Sequence, residues 1–280
     1  MTTTLRPSGP EEHTADGARS RTYAVCDNAR AVGTLRLSVD TRYGLRTGRI
    51  AELAVDPPER RRGRAAIALL AAEEVLQGWG CARVAATVPA DAEGASVLAG
   101  ALGYVERNRT LTKPLTHPVD DPAPAPGTLR PLAEQDFAAW RERDGRRQVA
   151  ALTDRGVPAD RAGTLLADEL RALLPDGPAT TGMLLRVLVH DGADVGTLWL
   201  SPSASPRPAA DAWVWGVEVH DAYRRHGHGR TLMRAAERAS HDAGASALGL
   251  NVHVDNAPAR RLYESLGYRA AEHHLEKRLL

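Results

Sequence analysis

The sequence of 280 residues lacks the features that mark several protein classes. No apolar run approaches the roughly 18 residues that a membrane-spanning helix needs. The N-terminal stretch MTTTLRPSGPEEHTADGARS lacks the apolar core of a secretory signal. The two cysteines, Cys26 and Cys81, are too few to cross-link a chain of this size and have no metal-ligand spacing. We therefore expect a cytoplasmic protein with no membrane partner and a disordered lead-in over residues 1–20.

The chain also lacks an excess of either positive or negative charge. The 36 basic and 35 acidic residues give a net charge of +1, which provides no electrostatic footprint for nucleic acid, so no such partner is expected. Only Lys113 and Lys277 are lysines, and every other basic residue is arginine. This uniform bias lowers the weight of any single arginine run, including ERRRGR at 59–64.

The chain contains two copies of one structural unit. AVGTLRL at 31–37 matches DVGTLWL at 194–200, and ALGY at 101–104 matches SLGY at 265–268. Three further matches fall between them in the same order: Val55 with Val219, Arg60 with Arg224, and Gly63 with Gly227. Matches that recur in one order indicate a duplication.

The prolines of THPVDDPAPAPG predict an extended linker at 116–127, between domains at 21–115 and 128–280. Each copy is predicted to contain, in order, a hairpin, a longer strand, a Gly/Arg turn, a helix, a strand, a second helix and a closing strand. This order predicts crossovers, hence an α/β fold with a mixed, partly parallel sheet flanked by helices. Only the C-terminal copy has two further helices, at 129–180, so the N-terminal copy is truncated. Predicted bounds are 21–38 and 183–200 for the hairpins, 48–55 and 212–219 for the longer strands, and 64–78 and 228–243 for the helices after the turns.

The stretch AYRRHGHGRTLM at 222–233 places a glycine turn between a strand and an amphipathic helix. Such a turn gathers unpaired backbone N–H groups at the positive end of the helix dipole, which makes an anion site. Gly227 and Gly229 would let a phosphate approach without a Cβ in the way. The turn has neither the third glycine of a dinucleotide fingerprint nor the Gly-Lys-Ser/Thr of a Walker loop, and glycine turns are also common as plain connections.

Two motifs together resemble a known family. Arg224-x-x-Gly227-x-Gly229, after a strand that ends in VEV, resembles the acyl-CoA signature of the GNAT superfamily of N-acetyltransferases. NAPARRLYESLGY at 256–268 resembles its second motif. The resemblance covers 129–280 in full and the core of 21–118, and it implies two tandem GNAT folds. It also implies acetyl-CoA or another acyl-CoA as co-substrate, a small-molecule amine as acceptor and no metal. The residues implied to hold CoA are Val217, Val219, Arg224, Arg225, His226, Gly227, His228, Gly229, Arg230 and Asn256.

The second motif carries the implied chemistry. Tyr263 would be the general acid for the CoA thiolate; it also fits the role of a core tyrosine that covers its helix. Asn256 would bond pantetheine, and DNAPA is equally a good helix N-cap. Backbone amides of the splayed strand at 212–219 would hold pantetheine and polarise the thioester carbonyl.

The acceptor side is less defined. Glu218 is the candidate general base, with a plain ion pair to a nearby arginine as the alternative. Asn251 and His253 are candidates for the acceptor pocket, and His253 is the second candidate base. Acceptor choice would depend on the helices at 133–174 and the loop at 201–211. The mixed charges of RERDGRRQ at 141–148 could face an acceptor or only solvent.

The N-terminal copy keeps the turn and loses the chemistry. Its possible CoA turn comprises Arg60, Arg62, Gly63, Arg64 and Ala65. The positions of Asn256, Tyr263 and Glu218 are taken by Ala92, Ala99 and Ala54. We therefore predict a catalytic C-terminal domain and a silent N-terminal one, packed as a pseudo-dimer in a monomer or homodimer. The alternatives are an acyl donor carried on a protein or tRNA, and a non-catalytic acyl-CoA-binding regulatory protein.

Overall fold

The computed structural model describes residues 3–14, 17–41, 45–116, 127–154 and 156–279. The chain divides into two compact units, one formed by Met1–Asn108 with Glu272–Leu280 and the other by Arg109–Ala271. Within the predicted linker, residues 117–126 lie outside the described residues. The first unit therefore includes the last residues of the second copy, and the second unit includes the last residues of the first copy.

The first unit consists of a β-sheet and two α-helices. Its elements are β1 (Thr3–Pro7), β2 (Glu12–His13), β3 (Arg19–Asp27), β4 (Arg30–Asp40), β5 (Thr47–Val55), α1 (Arg64–Gly78), β6 (Arg83–Pro89), α2 (Glu93–Ala101) and the start of β7 (Val105–Pro114). The predicted hairpin, turn and helix positions agree with these bounds within a few residues. The core lies between the sheet and α1, where Leu35, Leu37, Ala72, Leu76 and Val84 are buried.

The prediction of a disordered lead-in over residues 1–20 is wrong for the described part of that stretch, which contains β1 and β2; residues 1, 2, 15 and 16 lie outside the described residues. β1 pairs antiparallel with β3, with Thr3 opposite Asp27 and Pro7 opposite Tyr23. Leu5 packs against the core of this unit. The stretch is polar because it lies at the edge of the sheet, where backbone pairing and one apolar side chain are sufficient to hold a strand.

The second unit contains the complete second copy. After the end of β7 its elements are β8 (Thr128–Pro131), α3 (Glu134–Thr153), α4 (Ala159–Leu173), β9 (Leu184–His190), β10 (Ala193–Ser201), β11 (Ala212–Val219), α5 (His228–Asp242), β12 (Ala247–His253), α6 (Ala257–Ser265) and the start of β13 (Arg269–Arg278). The two predicted additional helices are α3 and α4. One core lies on the α5 side of the sheet, around Leu198, Leu232 and Leu250. The other lies beneath α3 and α4, around Trp140, Leu185 and Trp199.

The closing strands are exchanged between the two units. In the first unit, Glu272–Arg278 of β13 pairs antiparallel with β6, with Leu275 opposite Ala86. Leu275 is buried in that core, and Lys277 forms an ion pair with Glu73 of α1 at 2.7 Å. In the second unit β7 lies beside β12, and Lys113 pairs with the fully buried Glu237 at 2.8 Å.

Both units show the predicted parallel crossover. β5 pairs with β6 in parallel over Thr47–Ile50, and β11 pairs with β12 in parallel over Ala212–Val214. All the other strand pairs whose register is defined are antiparallel in the described part of the chain. The prediction of an α/β fold with two mixed, partly parallel sheets flanked by helices is confirmed.

The strand exchange predicts that Leu275 stabilises the first unit. Leu275→Ala should lower the free energy of unfolding by about 2–5 kcal/mol because it leaves a cavity in a close-packed core. Chemical denaturation measures the loss, and hydrogen exchange should show it in β6 and α1. The control is Leu70→Ala, since Leu70 on α1 is 46% exposed and its truncation should change stability by less than about 0.5 kcal/mol. Equal effects of the two substitutions would contradict the exchange.

Candidate active site

The predicted phosphate-binding turn lies between the end of β11 and the start of α5. A short 3-10 turn at Asp221–Tyr223 leads into it, and Gly227 is the residue before the helix. The φ angles are +67° at Arg225 and +85° at Gly227. Glycine adopts the left-handed region without a steric cost, so Gly227 suits its position, whereas Arg225 adopts this region at a cost. The first N–H groups of α5 have no intrahelical partner and point out of this turn together with the helix dipole.

The arginines of the turn have different partners. Arg224 forms an ion pair with Asp221 at 2.6 Å, and its Nε donates to the carbonyl of Val219 at 3.4 Å. Arg230 donates to the Ser265 hydroxyl at 2.8 Å, which ties the first turn of α5 to the end of α6. Arg225 is exposed beside them, and so is His226. The site therefore combines backbone donors with a surface of positive side chains, as the sequence predicts for an anion.

His228 does not lie on this surface. Its side chain is 2% exposed, and its ring lies 5.0 Å from the ring of His190 and 6.1 Å from that of His226. Burial, together with the nearby His190 and His226, lowers the pKa of His228. The ring is therefore neutral at pH 7, and only the backbone N–H of this predicted CoA-binding residue can face a ligand.

Gly229 has a packing role. A Cβ at this position would lie 3.1 Å from Cδ2 of Leu262 on α6, which is tighter than ordinary contact. The close approach of α5 and α6 thus accounts for the second glycine of the motif.

β11 and β12 part before the turn is reached. Their parallel register covers Ala212–Val214 and Leu248–Leu250, yet β11 runs on to Val219 and β12 to His253. Backbone groups on the facing edges of the two ends can therefore pair with a ligand. Of the strand at 212–219 that is predicted to splay, residues 212–214 are paired with β12 and the stretch beyond Val214 parts from it.

Tyr263 lies on α6 and packs into the core of the unit. It is 8% exposed, and its ring makes an edge contact with Tyr268 at 5.9 Å between centroids. Burial raises the pKa of Tyr263 to about 12. The phenol is therefore protonated at neutral pH, which suits a proton donor, and it also forms part of the core, so both predicted roles fit its position.

Asn256 caps α6. Its side-chain oxygen accepts a hydrogen bond from the backbone N–H of Ala259 at 3.2 Å, so the predicted N-cap is confirmed. The cap uses the oxygen, and the side-chain NH₂ group is the part of Asn256 that could donate to a bound ligand.

Glu218 has the arginine partner that the alternative interpretation predicted. Its Oε1 lies 3.1 Å from Nη1 of Arg147 on α3, and Arg147 also pairs with Asp144 at 3.1 Å. Within the described residues, Oε2 of Glu218 is buried without a hydrogen-bond partner. The RERDGRRQ stretch thus supplies a residue of the site, because Arg147 faces the sheet and not only solvent. The sequence showed the charges but not which of them faces inward.

The two acceptor-pocket candidates lie at the end of β12. Asn251 and His253 alternate with Val252, which is buried in the α5-side core. Their side chains therefore leave the strand on the opposite face, which is the face of Glu218 and α3. The structure brings these three residues to one side of the sheet.

An aromatic column on the same face was not predicted. Trp199 and Trp215 stack at 5.5 Å, Trp140 of α3 meets Trp199 edge-on at 5.7 Å, and Phe137 stacks on Trp140 at 5.6 Å. The tryptophans of WVWGV and TLWL were the only signal in the sequence. Strand alternation alone would place Trp215 and Glu218 on opposite faces.

The turn of the first unit has the same backbone and a different charge distribution. The Nε of Arg60 donates to the Val55 carbonyl at 2.8 Å, as Arg224 does to Val219, and Gly63 has a φ of +73°. Arg64, however, is 4% exposed and lies 2.6 Å from each of two carboxylates, those of Asp27 and Glu59. The side chain of Arg64 is therefore paired within the unit, and only its backbone N–H could face a ligand.

Glu59 also contacts the other arginines near that turn. It forms an ion pair with Arg30, and its second oxygen lies 3.5 Å from Arg62. The predicted anion turn of the first unit thus contains a carboxylate of its own. The replaced positions are consistent with a silent unit: Ala99 is buried on α2, and Ala92 precedes that helix without a side-chain cap.

No three His, Cys, Asp or Glu side chains in the described ranges converge as a metal ion would require. None of the helices described is both long and apolar enough to span a membrane.

Comparison with known proteins identifies relatives of the whole arrangement. The Acetyltransferase (GNAT) family model matches residues 3–104 and 136–268. The mycothiol acetyltransferase of Thermomonospora curvata is 33% identical over 229 residues, which are 79% of this chain and 70% of that protein. A GCN5-related N-acetyltransferase from Sphaerobacter thermophilus has a TM-score of 0.58 at 20% identity, over 92% of this chain and 80% of that one. A tandem GNAT protein from the clavulanic acid biosynthesis pathway has a TM-score of 0.54 at 21% identity, over 94% and 84%.

The neutral, buried His228 predicts a pH dependence of stability. Its pKa is lowered from 6.5 in the folded chain, so below pH 6.5 the unfolded chain binds more protons and the free energy of unfolding falls. His228→Leu should reduce the stability lost between pH 7.5 and pH 5.5, as measured by urea unfolding. The control is His241→Gln, near the end of the same helix, which should keep the wild-type dependence. A His228→Leu curve parallel to wild type would refute the assignment.

Proposed function

Because the chain belongs to the GNAT family of acetyltransferases, we propose that its second unit transfers an acyl group, in the simplest case acetyl, from acyl-CoA to a primary amine of a small molecule. The observation that carries this proposal is the contrast between the two copies. The second unit has a protonated, buried phenol at Tyr263 and a carboxylate at Glu218, where the first has Ala99 and Ala54. Both units retain the glycine turn, so the two copies differ in the acid and base groups that acyl transfer needs.

CoA would bind along the parted ends of β11 and β12. The N–H groups of Gly227, His228 and Gly229 would face the pyrophosphate at the positive end of α5. Arg225 would add charge at the surface, and the NH₂ group of Asn256 would donate to pantetheine. Unpaired backbone donors of β11 near Val217 and Val219 would polarise the thioester carbonyl.

The transfer requires a neutral amine and a proton for the leaving thiolate. The acceptor first loses a proton, through water, towards Glu218. Its nitrogen then forms a bond to the carbonyl carbon and the carbon–sulfur bond breaks. Glu218 passes the first proton to solvent. The nitrogen then releases a second proton by the same route, and Tyr263 gives its proton to the CoA sulfur and regains one from solvent. His253 would be the base if Glu218 stays paired with Arg147.

We propose that the first unit does not bind CoA. Its turn already holds the carboxylate of Glu59 between Arg62 and Arg64, and a second anion there would be repelled. Its role is then structural, since it provides the strand neighbours for the end of β13. We also propose that the protein acts in the cytoplasm, because Cys26 and Cys81 are buried as free thiols.

Loss of the phenol hydroxyl should slow the transfer. Tyr263→Phe is expected to lower kcat by about 10²-fold or more, because a general acid contributes about that factor. The KM for acetyl-CoA should change little. Thiol release from acetyl-CoA with a panel of primary amines measures both constants.

The matched control for this variant is Tyr268→Phe, which removes the hydroxyl of the neighbouring buried tyrosine and should retain most of the activity. If Tyr263→Phe and Tyr268→Phe were equally active, Tyr263 would have only its packing role.

The difference between the two turns predicts one CoA site per chain. Titration calorimetry should give a stoichiometry near one. Gly227→Val should weaken CoA binding by about tenfold or more, because a β-branched residue in the left-handed region costs about 1–2 kcal/mol and distorts the turn. Gly63→Val imposes the same strain in the first unit and should leave the affinity unchanged. Two sites, or equal losses from both variants, would show that the first unit binds CoA as well.

A further inference from the structure

We propose, building on the function proposed above, that the acceptor is an amino acid or a close amino-carboxylate analogue. It would bind on the sheet face beneath α3, with its ammonium group at Glu218. Its carboxylate would accept hydrogen bonds from Arg143, Trp199 and Trp215.

The starting observation is a group of buried polar atoms without partners. Within the described residues, Nε of Arg143, Nε1 of Trp199, Nε1 of Trp215 and Oε2 of Glu218 are all buried and have no hydrogen-bond partner. Trp199 as a whole is 5% exposed. Buried polar atoms in folded proteins are nearly always hydrogen-bonded, so four such atoms on one face indicate a polar ligand.

A bulge explains why these groups share a face. Trp199 is opposite Gly216, but the next residue of β10 is opposite Val214, so Trp215 is the additional residue of β11. The additional residue turns the Trp215 ring onto the same face as Trp199, where the two indoles stack. Glu218 follows Gly216 by two residues and so lies on this face as well.

Helix α3 covers the face and brings the arginines to it. Trp140 contacts Trp199 at 5.7 Å, and Arg147 contacts Glu218 at 3.1 Å. Arg143 lies between these two anchors on the inward stripe of the helix, three residues after the first and four before the second. Its position on this stripe directs its side chain to the face that carries the indoles and the carboxylate, and its Nε is buried there.

Gly216 leaves space between the N–H donors at one end of the proposed site and the Glu218 carboxylate at the other. A Cβ at Gly216 would meet only the Cβ of Trp199, at 4.0 Å. In the first unit the corresponding residue is Glu52, and Trp199, Trp215 and Glu218 correspond to Arg36, Ala51 and Ala54. The donor set and the gap thus occur only in the copy that carries Tyr263.

The chemistry of the set selects the ligand. Arg143 and the two indoles offer only N–H donors, which match a group with only acceptors, such as a carboxylate. Glu218 offers only an acceptor, which matches an ammonium group. A polyamine would bring a second cation to Arg143 where an amino acid has a carboxylate, and sugar hydroxyls would leave donors of their own without acceptors. The indole faces can contact the apolar side chain of the amino acid.

The experiment compares amines that differ only in the carboxylate. Thiol release from acetyl-CoA is measured with the wild-type full chain for leucine, leucinamide and 3-methylbutylamine, and for tryptophan, tryptophanamide and tryptamine. We expect kcat/KM for the amino acids to exceed that for the decarboxylated amines by about tenfold or more, because a site with buried donors rejects a ligand that cannot pair with them. Quenching of tryptophan fluorescence measures binding of the same compounds without turnover.

Two variants test the residues. Arg143→Met keeps an unbranched, flexible side chain without N–H donors, and Trp215→Phe keeps a ring but removes the N–H. Each should raise the KM for the amino acid and weaken its binding by about tenfold, leave the decarboxylated amine unaffected, and keep the KM for acetyl-CoA. The control is Arg146→Met, on the same helix, where Arg146 pairs with Glu142 at the surface.

Each outcome is decisive. A preference for amino acids that Arg143→Met and Trp215→Phe abolish would support the inference. Equal or better use of the decarboxylated amines would overturn it and leave the acyltransferase proposal intact. Failure of the chain to bind acetyl-CoA or to release thiol with any amine would overturn the proposed function, and this inference with it.

Discussion

The parallel pairing of β11 with β12 ends at Val214 and Leu250, and the candidate site lies where the two strands run on beyond it. Strands that stayed paired would satisfy each other's backbone groups to their ends, whereas strands that part leave N–H and C=O groups for another molecule. The bulge between β10 and β11 is part of the same constraint. It turns Trp215 and Glu218 to the face that α3 covers, so the donor edge and the acceptor face arise from one irregularity of the sheet.

The two copies show how one backbone can serve two purposes. Arg60 and Arg224 bond the last carbonyl of their strands in the same way, so the turn geometry is common to both. The difference lies in the buried residue that starts each helix. Arg64 carries a permanent charge and requires carboxylates beside it, which fills the turn with its own anion. His228 can be buried neutral and requires none, so the start of α5 keeps its positive potential.

The sequence was sufficient for local structure because periodicity, glycine turns and caps are local signals. The hairpins, the helices α1 and α5, the parallel crossovers and the Asn256 cap all followed from it. The exchange of β7 and β13 could not be predicted, because two duplicated sheets offer the same alternating pattern to either closing strand. The edge strand β1 was missed because its pairing leaves few apolar residues. The pairing of Arg147 with Glu218 and the column of tryptophans depend on a bulge whose position no residue pattern marks.

Under the proposed function, the pair between Glu218 and Arg147 would also determine which acceptors can reach the carboxylate. Glu218 is fixed on a strand and is 15% exposed, whereas Arg147 is 51% exposed, so the arginine is the partner that can move. A half-exposed ion pair contributes only about 0–1 kcal/mol, and Asp144 can retain the displaced guanidinium. An incoming ammonium group would therefore replace one cation with another at little cost. An uncharged acceptor that displaced Arg147 would leave a buried carboxylate without a counter-ion, which is costly. Under the proposed function, Glu218 would thus favour a cationic amine before it removes any proton from it.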